Sequence, residues 1–364
     1  MVINLLNKII GFYKNPFNYF NHLLDTKYFY FHKIVCISTN KLILVFSWYL
    51  NLSNIIFKKK IINNERTIHI KTYISRYYET FSVYNKFRKR LFIEILKNSE
   101  KIYDKDFIFS ANLELSAYSD FNGKKVTKEE LFKKSIEQEN VKRLNIIREI
   151  FENKNILILG PSKVSKRINY EKYDLICICN NNPIDINKKF KGQKGFNLKK
   201  VVLFSNVAYF KRNFEKFNNY KLLIREILVK PPIKSSFANF LSPSELMNND
   251  HGPMGIQNMC YTSFIGNAQN IFITGVNAYV KNTIYRDGIK SYKKNLQHYT
   301  NNLRRHEPIS NFCFLKNLFI MDIVKGDEIC SKVFSLNPDE YAKKLDETFN
   351  SLIYKPIFSN FRSL

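Results

Sequence analysis

At 364 residues and with 45% hydrophobic side chains, the chain has ample material for a buried core in one large or two ordinary domains, which excludes a disordered tail protein. Its formal charge is +27, from 58 basic against 31 acidic side chains, so its surface attracts polyanions: nucleic acid, an anionic leaflet or nucleotide sugars. The charge is spread, with short runs at Lys58-Lys59-Lys60 and Lys199-Lys200, and the arginine-rich helix, RRM or KH loop of a dedicated nucleic-acid binder is missing from the sequence.

The first hundred or so residues are aromatic and basic, with few turn signals, and predict a largely helical N-terminal region. Within it Leu42 to Phe57 is apolar, but it is too short to span a bilayer and is interrupted by Asn51, Ser53 and Asn54. A buried helix or strand pair is favoured there over an interfacial anchor. The expected division sets residues 1–120 apart, in a membrane-proximal position, from a catalytic domain over 121–364. From Val126 to Asn153 the pattern predicts one amphipathic helix. Thr127 and Glu130 stand as a capping box, and Leu131, Ile136, Val141, Leu144, Ile147, Ile150 and Phe151 recur at helical spacing.

Ile156-Leu157-Ile158-Leu159 then meets Gly160-Pro161-Ser162, the order of events where a buried parallel strand ends in a sharp turn. Leu175 to Cys179 runs into Asn180-Asn181-Asn182-Pro183, Val201 to Phe204 into Ser205-Asn206, and Asn270 to Thr274 into Gly275-Val276-Asn277-Ala278-Tyr279. Four short apolar runs with helical stretches between them predict an α/β fold with a Rossmann-like, doubly wound, mainly parallel sheet. In such sheets ligands lie at the carboxyl ends of the strands, so the residues that close each run are the site candidates.

Of the six cysteines, only Cys177 and Cys179 lie close, and strand alternation puts both on one face of the sheet. No second pair completes a zinc site, so they read as small core hydrophobes, and no metal ligand is assigned. Unpaired cysteines without a cleavable signal sequence suggest a cytoplasmic protein.

At the strand ends, Gly160 permits close backbone approach, Pro161 stiffens the turn, and Ser162 offers a hydroxyl and an N–H to a phosphate. Asn180 and Asn206 carry amides that both donate and accept, suited to a base, a ribose or a sugar hydroxyl. His306 lies in Arg304-Arg305-His306-Glu307-Pro308 at the entrance of an apolar helix, where an imidazole can take a proton from an attacking hydroxyl. His298 and His251 are the other candidates for a base.

Together these features resemble the bacterial sialyltransferases of glycosyltransferase family 42 and the wider group that uses CMP-activated sugars. The resemblance covers roughly residues 155 to 320. The family's Gly-Asn-Gly-Pro-Ser turn is similar to Leu159-Gly160-Pro161-Ser162, with Leu159 in place of the Asn; its Cys-Asn pair is similar to Cys179-Asn180, and its third strand-end Asn to Asn206. A small-residue turn, a helix and a strand ending Ser-Gly-Ile-Asp-Phe-Tyr resemble Gly255 to Tyr279. Here Asn277 stands for the Asp and Pro253-Met254-Gly255 for a Thr-Ser-Gly.

The resemblance implies a sialyltransferase-like variant of the fold and a metal-independent enzyme. It would move a sialic-acid-like sugar from a CMP donor to a hydroxyl of a bacterial surface glycan, in lipooligosaccharide or capsule. It implies His306 as general base, Tyr279 and Tyr285 as aids to the departing phosphate, and Gly160, Pro161, Ser162, Asn180, Asn206, Gly255, Gly275 and Asn277 around the nucleotide. The CMP-sugar is a substrate and no separate cofactor is implied. The acceptor is a glycan or glycolipid, nucleic acid is not a partner, an oligomer is compatible, and the basic surface would hold the enzyme peripherally at the inner membrane. Two alternatives stay open: a transferase of Kdo or another sugar on the same scaffold, and a non-enzymatic basic protein binding RNA or a membrane.

Overall fold

A computed structural model describes residues 80–97, 105–139, 141–162, 168–179, 183–190, 192–205, 215, 226–229, 255–280 and 307–359. The chain divides into two compact units, Met1–Ile74 and Ser75–Leu364, and the account below concerns the second. The Leu42 to Phe57 run lies outside the described residues.

Among the described residues, four helices precede the sheet. In α1 (Phe81–Lys97) the buried residues Phe81, Tyr84, Asn85, Arg88, Phe92 and Ile95 recur three and four apart, one stripe on a 3.6-residue period. Helix α2 (Lys105–Leu115) follows. Both belong to the compact unit that contains the sheet. Helix α3 (Lys128–Glu137) opens with the expected capping box: Thr127 Oγ1 accepts from the Glu130 N–H, and Glu130 accepts from the Thr127 N–H.

The single helix expected over Val126 to Asn153 is in fact two, α3 and α4 (Val141–Phe151). The reason lies in phase. Thirteen residues separate Leu131 from Leu144, and at 100° per residue an unbroken helix would point them roughly 140° apart. The polar stretch Gln138-Glu139 breaks the helix, so that Leu131 and the Leu144, Ile147, Ile150, Phe151 stripe both reach the core. Val141, expected on the apolar face, is 72% exposed.

The sheet contains β1 (Asn155–Leu159), β2 (Leu175–Cys179), β3 (Val201–Ser205), β4 (Glu226–Val229), β5 (Asn270–Thr274) and β6 (Lys325–Gly326). Their order is β4-β3-β2-β1-β5-β6, and every pairing is parallel. The four apolar runs of the sequence are β1, β2, β3 and β5. Parallel strands are covered on both faces, which is why they read as continuous rather than alternating apolar sequence.

Strand alternation sorts the two faces. Leu157, Leu159, Ile176, Ile178, Val201 and Leu203 share one core with Ile186 and Phe190 of α5 (Pro183–Phe190). On the other face Phe204 meets Phe151 of α4, and Cys177 is buried beneath α6 (Gly255–Ile265). Burial pushes the Cys177 thiol up, as for a small core hydrophobe. Cys179 lies on the same face as Cys177. A Cβ on Gly255 would overlap its sulfur, so glycine is what lets the start of α6 press against β2.

Among the described residues, three further helices follow: α7 (Pro308–Ile320), α8 (Glu328–Phe334) and α9 (Pro338–Ser359). Helix α7 is buried from Pro308 to Leu318 and is a central element of the core, which its apolar composition dictates. Asp346 of α9 accepts from the N–H groups of Phe81 and Ser82 at 2.7 and 2.9 Å, a cap for the α1 N-terminus that comes from 265 residues away. A buried ion pair joins α1 to α2. Arg88 Nε and Nη2 donate to the two Glu114 oxygens at 2.5 and 2.7 Å, and Tyr84 Oη donates to Glu307 Oε1 at 2.8 Å. Burial by itself would lower the Arg88 pKa, but Glu114, Tyr84 and Glu307 together outweigh it and raise the pKa, so the guanidinium stays charged. Deleting one partner of such a pair costs about 3–5 kcal/mol, because the other is left buried and uncompensated.

No described helix is long and apolar enough to cross a membrane.

Candidate functional site

The chain steps outward in one direction from β1 to β2, β3 and β4, then returns to place β5 and β6 on the other side of β1. Strand order therefore reverses between β1 and β5. A crevice forms at such a point because the loops leaving the two strands' carboxyl ends diverge to opposite faces of the sheet. The residues at this point are Gly160-Pro161-Ser162 and Gly275-Val276-Asn277-Ala278-Tyr279.

The two turns are fastened together. Gly160 N–H donates to Thr274 O, and Ser162 N–H donates to Gly275 O, both at 2.8 Å. A Cβ on Gly160 would collide with the Gly275 carbonyl, so the glycine is required by the neighbouring turn itself. Gly275 has φ +71°. Asp327, the N-cap of α8, clamps the β5 turn from outside: its Oδ2 accepts from Thr274 Oγ1 at 2.5 Å and from the Gly275 N–H at 3.2 Å, while its Oδ1 accepts from the Cys330 N–H at 2.9 Å. Burial pushes the Asp327 carboxyl up, but these hydrogen bonds together outweigh burial and hold its pKa below the usual carboxylate value.

Beyond Gly275 the backbone is strained. Ala278 and Tyr279 have φ of 44° and 65°, in the left-handed region that costs a residue bearing a Cβ about 1–2 kcal/mol. Surrounding bonds over-determine this conformation. Asn277 Oδ1 accepts from the Tyr279 N–H at 3.2 Å, Asn277 O from the Val280 N–H at 2.9 Å, and Ala278 O from Tyr341 Oη of α9 at 2.9 Å. Such strain persists only where the surrounding structure holds it in place.

Above these turns lies a cavity of about 70 Å³, lined among others by Pro161, Ser162, Gln257, Tyr279, Phe312 and Tyr341. None of its lining residues among those described is charged. Phe312 and Tyr341 stack face to face with ring centroids 3.8 Å apart, giving the cavity a rigid aromatic wall. Gln257, in the first turn of α6, is fully buried. Its Nε2 donates to Asn311 O at 3.3 Å, and its Oε1 has no hydrogen-bond partner among the described residues.

A larger cavity, about 420 Å³, opens at the opposite end of the sheet, where Lys128, Phe132, Asn270, Asp322 and Lys325 meet. It lies at the amino ends of β5 and β6, away from both fastened turns, so the smaller cavity is the candidate site.

The fold thus gathers seven expected site residues into one region: Gly160, Pro161, Ser162, Gly275, Asn277 and Tyr279 at the two turns, and Gly255 at the start of α6. Asn180, Asn206, Tyr285, His251, His298 and His306 lie outside the described residues. Residue 307, which follows His306, is described: Glu307 is the N-cap of α7, has φ 48°, is buried, and is held by Tyr84. Sequence reasoning did not find Gln257, Phe312, Asp327 or Tyr341. Only Asp327 carried a readable signal, an acid immediately ahead of a helix.

Comparison with known protein families, with curated proteins and with solved structures finds no match for this chain. The site's function rests on its own geometry and on the resemblance at its motifs.

Proposed function

We propose that this chain is a glycosyltransferase that moves a sialic-acid-like sugar from a CMP-activated donor to a hydroxyl of a bacterial surface glycan. The observation that carries the proposal is the pairing of the Gly160-Pro161-Ser162 turn with the strained Gly275 to Tyr279 turn across the reversal of strand order. These are the segments on which the sequence resembles the CMP-sugar transferases, and the fold sets them side by side. The sheet order, with helices on both faces, is compatible with the Rossmann-like architecture that the resemblance implies.

In this reading the first turn of α6 faces the nucleotide, since the amino end of a helix favours a phosphate. The Ser162 N–H expected to bind a phosphate is instead taken by Gly275 O, and the β1 turn shapes the seat without donating to it. A tyrosine hydroxyl, from Tyr279 or Tyr285, stabilises charge on the departing CMP without a metal ion. His306 takes the proton from the acceptor hydroxyl as the bond to the sugar forms. The basic surface keeps the enzyme against anionic lipid at the inner membrane face, where a lipid-linked acceptor is met.

The test separates binding from chemistry. With CMP-sialic acid and a lipooligosaccharide acceptor, the chain releases CMP, and His306→Ala lowers turnover by about 100-fold or more with CMP affinity unchanged. Near-normal turnover in the variant removes His306 as the base. Turnover by wild type with a CMP-Kdo donor alone reassigns the sugar and leaves the nucleotide.

A further inference from the structure

The turn after β5 adopts a backbone that its own residues resist. Asn277 O accepts from the Val280 N–H at 2.9 Å, which makes Ala278 and Tyr279 the central pair of a four-residue turn, and their φ values are 44° and 65°. Turns of that hand ordinarily carry Gly, Asn or Asp there, because a Cβ resists the left-handed region. Alanine and tyrosine make no such provision, so the conformation depends on further bonds. Two come from α9. Tyr341 Oη donates to Ala278 O at 2.9 Å, and Thr348 Oγ1 divides its proton between Val280 O at 3.0 Å and the Lys344 carbonyl of its own helix at 2.8 Å. Tyr341 and Thr348 stand roughly two helical turns apart on one buried face of α9, and the carbonyls they reach flank Tyr279.

Helix α9 is itself held. The Tyr341 ring lies flat on Phe312, with centroids 3.8 Å apart and planes 7° apart, which keeps its hydroxyl in place. Asp339 accepts from Asn85 Nδ2 at 2.7 Å, and Asp346 caps the first N–H groups of α1. A backbone fixed at Ala278 and Val280 fixes the direction in which the Tyr279 side chain leaves the turn, and Tyr279 lines the small cavity. We infer that Tyr341 and Thr348 are positioning residues, which from α9 hold Tyr279 as the hydroxyl that meets the departing phosphate. A donor that acts only as charge develops gains from such fixing, since a misplacement of about 1 Å costs about 100-fold in rate. The inference rests on the proposed transfer from a CMP donor and adds the residues that set its leaving-group tyrosine in place.

Steady-state kinetics of the full chain with CMP-sialic acid and a lipooligosaccharide acceptor test it through a double-mutant cycle. Tyr341→Phe keeps the ring on Phe312 and removes the hydroxyl, so kcat falls about tenfold or more while the donor KM changes by less than about twofold. In a Tyr279→Phe background the same substitution has no further effect, since it acts through the Tyr279 hydroxyl. A general loosening of the fold lowers activity in both backgrounds alike. Thr348→Val lowers kcat to a smaller extent and Thr348→Ser restores it, a pair that decides the matter even where Tyr341→Phe fails to fold. Wild-type kcat in Tyr341→Phe or Thr348→Val, equal losses in the two backgrounds, or a Tyr279→Phe enzyme as fast as wild type overturns the inference and leaves the donor proposal standing. A wild type that releases no CMP with donor and acceptor present overturns the donor proposal, and the inference with it.

Discussion

Replacing Gly160 with alanine drives a methyl group into the Gly275 carbonyl, at a place where two backbones are hydrogen-bonded and neither can retreat. We expect Gly160→Ala to cost about 2–3 kcal/mol in urea unfolding, the upper range for overpacking, and to abolish any stabilisation by nucleotide. A variant as stable as wild type would mean that the turns are not fastened as described. Before the fold is known, a strand-end glycine invites the explanation that a ligand approaches it. Its partner is instead another turn, 115 residues away in the chain. Gln257 was not legible at all. An amide near the start of a helix is an ordinary surface residue until tertiary packing buries it, and its unpaired oxygen exists only in three dimensions.

At the scale of elements, the four central strands could be read because burial on both faces leaves an uninterrupted apolar run, each stopped by a small or amide residue. The outer strands could not. Strand β4 begins with Glu226, and β6 is the pair Lys325-Gly326, too short and too polar to show a pattern. The stripe on α1 was obscured for another reason: two of its buried members are Asn85 and Arg88, and the partner that makes Arg88 tolerable, Glu114, stands 26 residues on. The split between α3 and α4 was hidden because a helical period survives a break of a few residues while its phase does not.

The clamp between β5 and α8 gives a pH prediction at this scale. Asp327 has a folded pKa below its unfolded value, so the stability it adds is fully present above the ordinary carboxylate pKa of about 3.9 and is lost as the pH falls through the lower folded value. Asp327→Asn removes that dependence. We expect it to lower the melting temperature near neutral pH by the equivalent of about 1–2 kcal/mol, the usual worth of an N-cap, and to converge on wild type in strong acid. Parallel melting curves across the whole pH range would contradict the clamp.

For the molecule as a whole, the architecture explains why the candidate site stands where it does. A parallel sheet covered on both faces exposes its loops only at the strand ends, and the reversal between β1 and β5 opens one crevice among the carboxyl ends. Around it the fold places a buried helix, α7, and the network that ties Glu307, Tyr84, Arg88 and Glu114, so a rigid scaffold carries the strained turn. The central claim is that this crevice binds a cytidine nucleotide. The direct measurement is thermal unfolding of the full chain with CMP, UDP, GDP and phosphoribosyl pyrophosphate, each at the same concentration. The account predicts that CMP raises the melting temperature, by an increment equivalent to about 2.7 kcal/mol at a hundred times its dissociation constant, and that UDP and GDP do not. A rise with a nucleoside diphosphate or with phosphoribosyl pyrophosphate, and none with CMP, would contradict it.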